Sequence, residues 1–304
     1  MSDHPRRVAV LMGGLSAERE VSLRSGAAVT AALREVGDYE VVSVEVDDTK
    51  VPLPAGIDLA FLAMHGTFAE DGQIQDLLAS RGIPYTGANA LVSQLAFNKE
   101  KTKERLRMCG VPTPPGQLVR SVEEVTLPLP VFVKPNAQGS SVGSRAATTT
   151  QELNQAVTEA LKFDSSALVE RLIRGRELTV GVLGDEVLPI IEIRPLDGFY
   201  DYTNKYTKGR TEYFCPAELP EKVTKQIQTH ALTAHLALGG TVYSRIDFLL
   251  EGEAAFCLEV NTIPGMTATS LLPKAAAAVG IDFPQLCRKI IELSWAERRK
   301  EGLA

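Results

Sequence analysis

The chain of 304 residues is long enough for two or three domains with a large buried core. Its composition, 44% hydrophobic and 23% charged, is typical of a soluble globular protein. The net charge of −6 argues against a nucleic-acid-binding protein, which would usually be basic, so we expect no nucleic-acid partner.

Targeting features and cysteines favour a cytoplasmic location. The N-terminal apolar run VAVLM is too short for a signal peptide, and no stretch approaches the ~18 apolar residues of a membrane helix. We therefore expect no membrane partner. The four cysteines lie far apart without a CxxC pair, which indicates reduced thiols rather than a disulfide or zinc framework.

The first third of the chain alternates strands and helices. The predicted elements are strands over 7–12, 39–46 and 59–64 and a helix over 20–36. This alternation predicts a parallel α/β sheet, whose ligands lie beyond the carboxyl ends of the strands. Two polar segments follow such ends, GGLSAERE at 13–20 and HGTFAEDG at 65–72. Glu18 and His65 are their candidate binding residues, although a lone loop histidine is more often structural.

A domain boundary is predicted near 90–98, and strands and helices continue after it. The elements that follow are a helix over 99–108, a strand over 131–135, a helix over 151–162, and strands over 167–172, 177–183 and 187–193. The first of these strands carries Lys134 next to its last residue and leads into the small-residue loop NAQGSSVG at 136–143, whose backbone N–H groups could cover phosphates. Glu170 and Glu177 could each bond a ribose or face solvent.

The polar and aromatic stretch at 196–216 shows little periodicity, which is typical of an active-site lid. The loop at 139–143 is a second lid candidate. The remaining predicted elements are a helix over 219–238, a hairpin over 243–266, and helices over 270–279 and 283–299.

The hairpin carries the strongest chemical signal. With a turn centred on Glu253, Asp247 lies opposite Glu259, and Arg245 lies opposite Asn261. Side chains alternate along a strand, so these four residues share one face. The other face is apolar and comprises Ile246, Phe248, Leu250, Phe256, Leu258 and Val260.

Two opposed carboxylates need a compensating charge. At ~5 Å and an effective dielectric of ~20 they repel by about 3 kcal/mol, whereas favourable cross-strand pairs contribute only ~0.2–1 kcal/mol. The oxygen ligands of Asp, Glu and Asn suit Mg²⁺, with water and nucleotide phosphate completing its coordination. The alternative is a solvated acidic face neutralised by Arg245, and a slip of one residue in register would separate the acids.

Several other enzyme classes are disfavoured. The chain has no GxxxxGK[ST], no GxGxxG after its first strand and no HExxH. The segment GSSVG at 139–143 fits the GxSxG nucleophile elbow of hydrolases, with Ser141 as nucleophile, but the residues after it start no helix.

Eight segments, taken together and in order, resemble the D-alanine–D-alanine ligase family of the ATP-grasp superfamily. They are GGLSAEREVS at 13–22, HGTFAEDG at 65–72, PYTG at 84–87, VKPNAQGSSVG at 133–143, YDYTNKY at 200–206, FCPA at 214–217, SRID at 244–247 and EVNTIPGMT at 259–267. The resemblance implies a three-domain ATP-grasp fold: an N-terminal α/β substrate domain over 1–96, a central domain over 97–178, and a C-terminal domain over 179–304 that carries metal and substrate sites. It implies a cytoplasmic enzyme that joins two D-alanines through an acyl phosphate, releasing ADP and phosphate, for peptidoglycan precursor synthesis.

The resemblance also implies roles for individual residues. The nucleotide contacts would be Lys99, Lys134, Glu170, Glu177 and Lys205, with Gly139, Ser141 and Val142 closing over the phosphates. The ligands of two Mg²⁺ (or Mn²⁺) ions would be Asp247, Glu259 and Asn261. The ammonium of the first D-alanine would be held by Glu18, helped by Ser140 and Tyr206, in a site lined by His65. The carboxylate of the second D-alanine would be held by Ser270 and Leu271, and the oxyanion by Arg245 and the Gly265 N–H.

Two alternative functions remain open, and one oligomeric state is expected. Another ATP-grasp ligase with different substrates would conserve the same chemistry, although Tyr206 matches dipeptide-forming ligases and D-lactate-using ones typically have Phe there. A nucleotide-binding regulatory protein would bind ATP without turnover. The family resemblance also implies a homodimer.

Overall fold

A computed structural model describes residues 5–139, 142–196, 209–267 and 270–304. The N-terminal sheet is parallel, as predicted, in the order β2-β1-β3. Its strands are β1 (Arg7–Gly13), β2 (Glu40–Val46) and β3 (Leu59–Leu62), and its helices are α1 (Arg19–Val36), between β1 and β2, and α2 (Gln73–Ser80), after β3. Every residue of β3 is buried, as expected for a parallel strand covered on both faces.

The second sheet is antiparallel, in the order β4-β7-β5-β6. Two helices precede it, α3 (Ala90–Phe97) and α4 (Lys99–Met108), so the segment predicted as a boundary is mostly helical. The strands are β4 (Gly116–Val119), β5 (Val131–Pro135), β6 (Arg145–Ala147) and β7 (Ala167–Arg171), with a 3₁₀ turn at Val122–Glu124. Helix α5 (Thr150–Ala160) covers one face and buries Leu153, Ala156 and Val157 against the sheet.

The third sheet follows the order β11-β10-β8-β12-β13, with β9 paired to the end of β8. Its strands are β8 (Arg176–Leu183), β9 (Glu186–Val187), β10 (Ile191–Pro195), β11 (Thr211–Phe214), β12 (Tyr243–Glu251) and β13 (Ala254–Asn261). Helix α6 (Glu221–Ala237) packs on one face. The helices α7 (Leu271–Ala277) and α8 (Phe283–Lys300) join the other face to the N-terminal sheet in a single core. Among the described residues, no helix combines the length and apolar character needed to cross a bilayer.

The prediction of one continuous strand over 187–193 is wrong. The chain instead forms β9 and β10, and Leu188, Pro189 and Ile190 between them belong to neither strand. Proline has no backbone N–H to donate to a sheet, so Pro189 interrupts the hydrogen-bonded ladder.

The hairpin of β12 and β13 has the predicted register only at the end that contains Arg245 and Asp247. Asp247 pairs with Glu259 as predicted, but the register then shifts, and Phe248 pairs with Cys257. This bulge puts Cys257 in the core with no exposed surface, whereas Phe256 and Leu258 are only partly buried. The predicted core positions of Phe256 and Leu258 are therefore wrong.

His235 makes stability depend on pH. It lies on α6, is 1% exposed, and its Nδ1 is 2.7 Å from Ser244 Oγ on β12. Burial lowers the pKa of His235 from 6.5 to about 4. Between these values the unfolded chain binds more protons than the folded chain, so stability falls as the pH falls through this window. We predict that this residue lowers the free energy of unfolding by about 2 kcal/mol between pH 7 and pH 5.

Urea denaturation at pH 7 and pH 5 measures this effect. A His235→Gln variant removes the titrating group, so its loss of stability between the two pH values should be smaller than that of the wild type by about 2 kcal/mol. Equal losses in the two proteins would contradict the prediction.

Candidate active site

A cavity of 440 Å³ lies where the carboxyl ends of the N-terminal strands approach β13 and the loop after it. Residues from distant parts of the chain meet there. The predicted site residues that line it are Glu18, His65, Lys99, Gly139, Arg245, Glu259, Asn261, Gly265, Ser270 and Leu271. The structure therefore brings together most of the predicted site residues that it describes.

Other predicted residues lie elsewhere or outside the described ranges. Of the described residues, those not in the cavity wall are Lys134, Val142, Glu170, Glu177 and Asp247. The predicted residues outside the described ranges are Ser140, Ser141, Lys205 and Tyr206. Glu177 is partly buried on β8, opposite Leu249 of β12. The predicted lid at 196–216 includes strand β11, and its residues 197–208 lie outside the described ranges.

Glu18 lines the cavity at the start of α1. It is 8% exposed, and the positive end of the helix favours a carboxylate at this position. The loop that contains Gly139 approaches it closely, since a Cβ on Gly139 would lie 3.0 Å from Glu18 Oε2 and 3.5 Å from Glu70 Oε2. A glycine allows this approach because it has no side chain. Gly139 therefore lies close to both acids.

His65 belongs to this cavity and is not an isolated loop histidine. It is 4% exposed, and its Nε2 lies 3.2 Å from Ser25 Oγ. Its Nδ1 lies 3.8 Å from Glu70 Oε1. The hydroxyl of Ser16 donates a hydrogen bond of 2.7 Å to the His65 carbonyl and accepts one of 3.2 Å from the Glu18 N–H. The two predicted polar segments are thus bonded to each other.

Basic side chains of the protein itself lie next to the acidic residues of the hairpin. Arg245 donates two hydrogen bonds to Asp247, from Nε at 3.0 Å and from Nη2 at 2.8 Å. Thr179 Oγ1 donates to Asp247 at 2.5 Å, and Asn261 Nδ2 donates at 3.1 Å. The Lys99 ammonium lies 3.8 Å from Glu259 Oε2. Neutralisation of Asp247 by Arg245, the alternative to a metal, is therefore present.

The same residues also form a donor set that fits a hard divalent cation. Asp247 and Glu259 face each other across the hairpin, and Glu259 and Asn261 line the cavity. Two carboxylates and one amide supply only oxygen ligands, which suit Mg²⁺ or Mn²⁺ with water and phosphate in the remaining positions. Within the described ranges, no group of three or more His, Cys, Asp or Glu side chains offers a richer metal site.

A buried cluster of two lysines and one glutamate lies beside the second sheet. Glu170 is 2% exposed, and its two oxygens lie 2.5 Å from Lys103 Nζ and 2.7 Å from Lys134 Nζ. Burial alone would raise the pKa of Glu170, but the two ammonium groups more than offset burial and hold that pKa below its usual value. Burial lowers the pKa of Lys103 to about 8, against the attraction of Glu170.

Lys103 was not predicted, although the sequence held a signal for it. It stands four residues after Lys99 on α4, so the two lysines share one helix face. The Glu residues interleaved with these lysines are typical of a solvated helix face, but Lys103 is 1% exposed. Other cavity-lining residues that the sequence did not single out include Arg24, Glu70, Tyr213 and Thr267.

The fold and the cavity define a class of enzyme. A parallel α/β sheet followed by two antiparallel sheets, with basic and acidic side chains converging on one cavity, is the architecture of ATP-grasp ligases. Family models described as D-ala D-ala ligase N-terminus and D-ala D-ala ligase C-terminus match residues 47–88 and 106–292. The chain belongs to the D-alanine–D-alanine ligase family, and the predicted family and fold class are confirmed.

Similarity to known proteins extends over nearly the whole chain. A D-alanine–D-alanine ligase of Methylacidiphilum infernorum is 46% identical over 299 residues, covering 98% of each chain. The crystal structure of a Bacillus anthracis D-alanine–D-alanine ligase complexed with ATP is 36% identical, with a TM-score of 0.87, covering 98% of this chain and 99% of that one. The VanG D-Ala:D-Ser ligase of Enterococcus faecalis is 29% identical, with a TM-score of 0.83, covering 95% and 99%.

The buried cluster should make Lys103 important for stability. A Lys103→Met substitution leaves Glu170 with one cationic partner in a place shielded from water, and breaking such a buried pair typically costs about 3–5 kcal/mol. We therefore expect the free energy of unfolding, measured by urea denaturation at pH 7, to fall by about 3 kcal/mol.

Lys101→Met is the matched control for this substitution. Lys101 is exposed on the same helix, so its substitution should change stability by less than about 0.5 kcal/mol. Similar effects of the two substitutions would show that the Lys103–Glu170 pair does not stabilise the fold.

Proposed function

We propose that this cavity joins two D-alanines into D-alanyl-D-alanine at the expense of ATP, releasing ADP and phosphate. The product would serve peptidoglycan precursor synthesis in the cytoplasm. The observation that carries the proposal is the convergence of Glu18 and His65, from the N-terminal sheet, with Lys99, Arg245 and Glu259 on one cavity. Family membership over nearly the full chain supports the same activity.

The reaction has to make a carboxylate reactive. A carboxylate oxygen of the first D-alanine attacks the γ-phosphorus of ATP, and ADP leaves with the electron pair of the broken P–O bond. The amine of the second D-alanine then attacks the acyl phosphate carbon, and phosphate leaves as the amine loses a proton. Phosphoryl transfer needs positioning and charge neutralisation above all, and water must be excluded because it would hydrolyse the acyl phosphate.

The nucleotide would be held beside the second and third sheets. Lys99 and Lys134 would contribute positive charge, with Glu170 orienting Lys134 through the 2.7 Å ion pair. The other proposed nucleotide contacts are Gly139, Ser141, Val142, Glu177 and Lys205. Asp247, Glu259 and Asn261 would hold two Mg²⁺ or Mn²⁺ ions, which when bound would neutralise phosphate charge.

The two D-alanines would occupy adjoining parts of the cavity, so that the amine of the second can reach the carboxyl carbon of the first. Glu18 would bind the ammonium of the first, near His65 and helped by Ser140 and Tyr206. Ser270 and Leu271, at the start of α7, would bind the carboxylate of the second. Arg245 and the Gly265 N–H would stabilise the tetrahedral oxyanion. Support comes from the shared cavity wall, which includes the described members of this set.

The domain organisation and assembly belong to the same proposal. We propose an N-terminal domain over 1–96, a central domain over 97–178 and a C-terminal domain over 179–304. The N-terminal and second sheets lie inside the first two segments, and the third sheet begins at Arg176, three residues before the third segment. The proposed assembly is a homodimer.

Substrate chirality tests the proposed function. We expect D-alanine to support ADP release and L-alanine not to, because an enantiomer cannot place its ammonium, carboxylate and methyl on the same three sets of groups at once. A coupled ADP assay gives the rates, and mass spectrometry identifies the product. D-serine and D-lactate as second substrates distinguish the dipeptide ligase from its relatives. ATP binding without ADP release would favour a regulatory protein instead.

Metal dependence tests the hairpin face. Asp247→Asn removes one anionic ligand, so the Mg²⁺ concentration for half-maximal ADP release should rise by about tenfold or more. Glu253→Gln, in the exposed turn of the same hairpin, is the control and should leave the Mg²⁺ titration unchanged. An unchanged titration for Asp247→Asn would contradict its assignment as a metal ligand.

A further inference from the structure

Ser25 joins two walls of the cavity through one buried hydroxyl. It lies on α1 and has no exposed surface. Its Oγ is 3.2 Å from His65 Nε2, and it accepts a hydrogen bond of 3.4 Å from the Met266 N–H. His65 follows β3 in the N-terminal sheet, whereas Met266 follows β13 and is adjacent to Gly265. One side chain therefore contacts both His65 and the backbone next to Gly265.

The chemistry of these groups fixes the direction of the Met266 hydrogen bond and leaves the Ser25 proton for a second partner. A backbone N–H can only donate, so Ser25 Oγ is the acceptor of the Met266 bond. The proton of the hydroxyl is then available for His65 Nε2, because Met266 does not use it. A neutral imidazole that accepts at Nε2 carries its proton on Nδ1. The Nδ1 atom faces the Glu70 carboxylate at 3.8 Å, where a proton is favourable.

We propose that Ser25 is a positioning residue of the ligase, and this inference rests on the function proposed above. Ser25 orients the His65 ring in its Nδ1–H tautomer towards Glu70. The same hydroxyl holds the backbone next to Gly265 at a defined distance from the first D-alanine. Small displacements of groups at a reacting centre can lower rates by about 100-fold. Ser25 thus fixes the position of the Gly265 N–H, the proposed oxyanion donor, relative to the N-terminal sheet.

Ser22 supplies a matched control on the same helix. It also has no exposed surface, accepts the Gly13 N–H at 2.8 Å and donates to the Ala63 carbonyl at 2.8 Å. Its two partners are backbone groups outside the cavity wall formed by the described residues. Ser22→Ala should therefore lose a comparable number of hydrogen bonds without disturbing His65 or Gly265.

The experiment compares wild type, Ser25→Ala and Ser22→Ala by nitrogen NMR of the histidine rings and by ADP release. The His65 signals are assigned by their loss in His65→Gln. We expect wild-type His65 to carry its proton on Nδ1 and Ser25→Ala to shift the tautomer. We also expect Ser25→Ala to lower kcat about 10- to 100-fold without changing the KM for ATP. Ser22→Ala should keep the wild-type tautomer and kcat.

The NMR measurement separates this inference from the proposed function, because it needs no turnover. A wild-type proton on His65 Nε2 would overturn the inference, and so would a Ser25→Ala variant with wild-type tautomer and kcat. Absence of ADP release by the wild-type protein with D-alanine would instead contradict the proposed ligase function. If Ser25→Ala does not fold, Ser25→Cys keeps a side chain of similar shape with a weaker hydrogen bond, and a kcat below that of the wild type and of Ser22→Ala is then expected, whereas an unchanged kcat and tautomer would overturn the inference.

Discussion

Carboxylates that are shielded from water have to be matched by positive charge, because an unpaired buried ion costs several kcal/mol. In this protein the matching cations come from other elements of the fold. Glu170 of β7 pairs with Lys103 of α4 and Lys134 of β5, and Lys99 of α4 lies near Glu259 of β13. Helix α4 therefore contributes charge to both antiparallel sheets. The positions of these acids specify how the helix and the two sheets fit together.

The same constraint explains why the cavity suits a highly charged substrate. Desolvation of both partners cancels much of the attraction within a buried ion pair, so the pair adds less net stability than the loss of one partner would cost. Arg245 and Lys99 accompany Asp247 and Glu259, which leaves oxygen donors and cations side by side. A nucleotide with divalent ions needs both kinds of group. The charge arrangement that the fold requires is therefore also the one that phosphoryl transfer requires.

Local backbone irregularities complete the site. The bulge in β13 keeps Glu259 opposite Asp247 while it turns Phe256 out of the core, and the Arg171 guanidinium lies 5.2 Å from the Phe256 ring centre. Gly139 lies so close to Glu18 that a Cβ there would be only 3.0 Å from its Oε2, a tight contact that a glycine avoids. Each irregularity changes one or two residues, but together they decide which side chains meet around the cavity.

Much of the fold and site could be predicted from sequence, because the signals involved are local. Alternation of apolar residues with period two, turn residues and helix periodicity determined most elements and the pairing of Asp247 with Glu259. The ordered motifs determined the family. Only the tertiary structure decided that Lys103 is buried, that Phe256 leaves the core and that Ser25 joins His65 to Met266. These features depend on contacts between residues far apart in the chain, and no short-range pattern records how closely two distant segments pack.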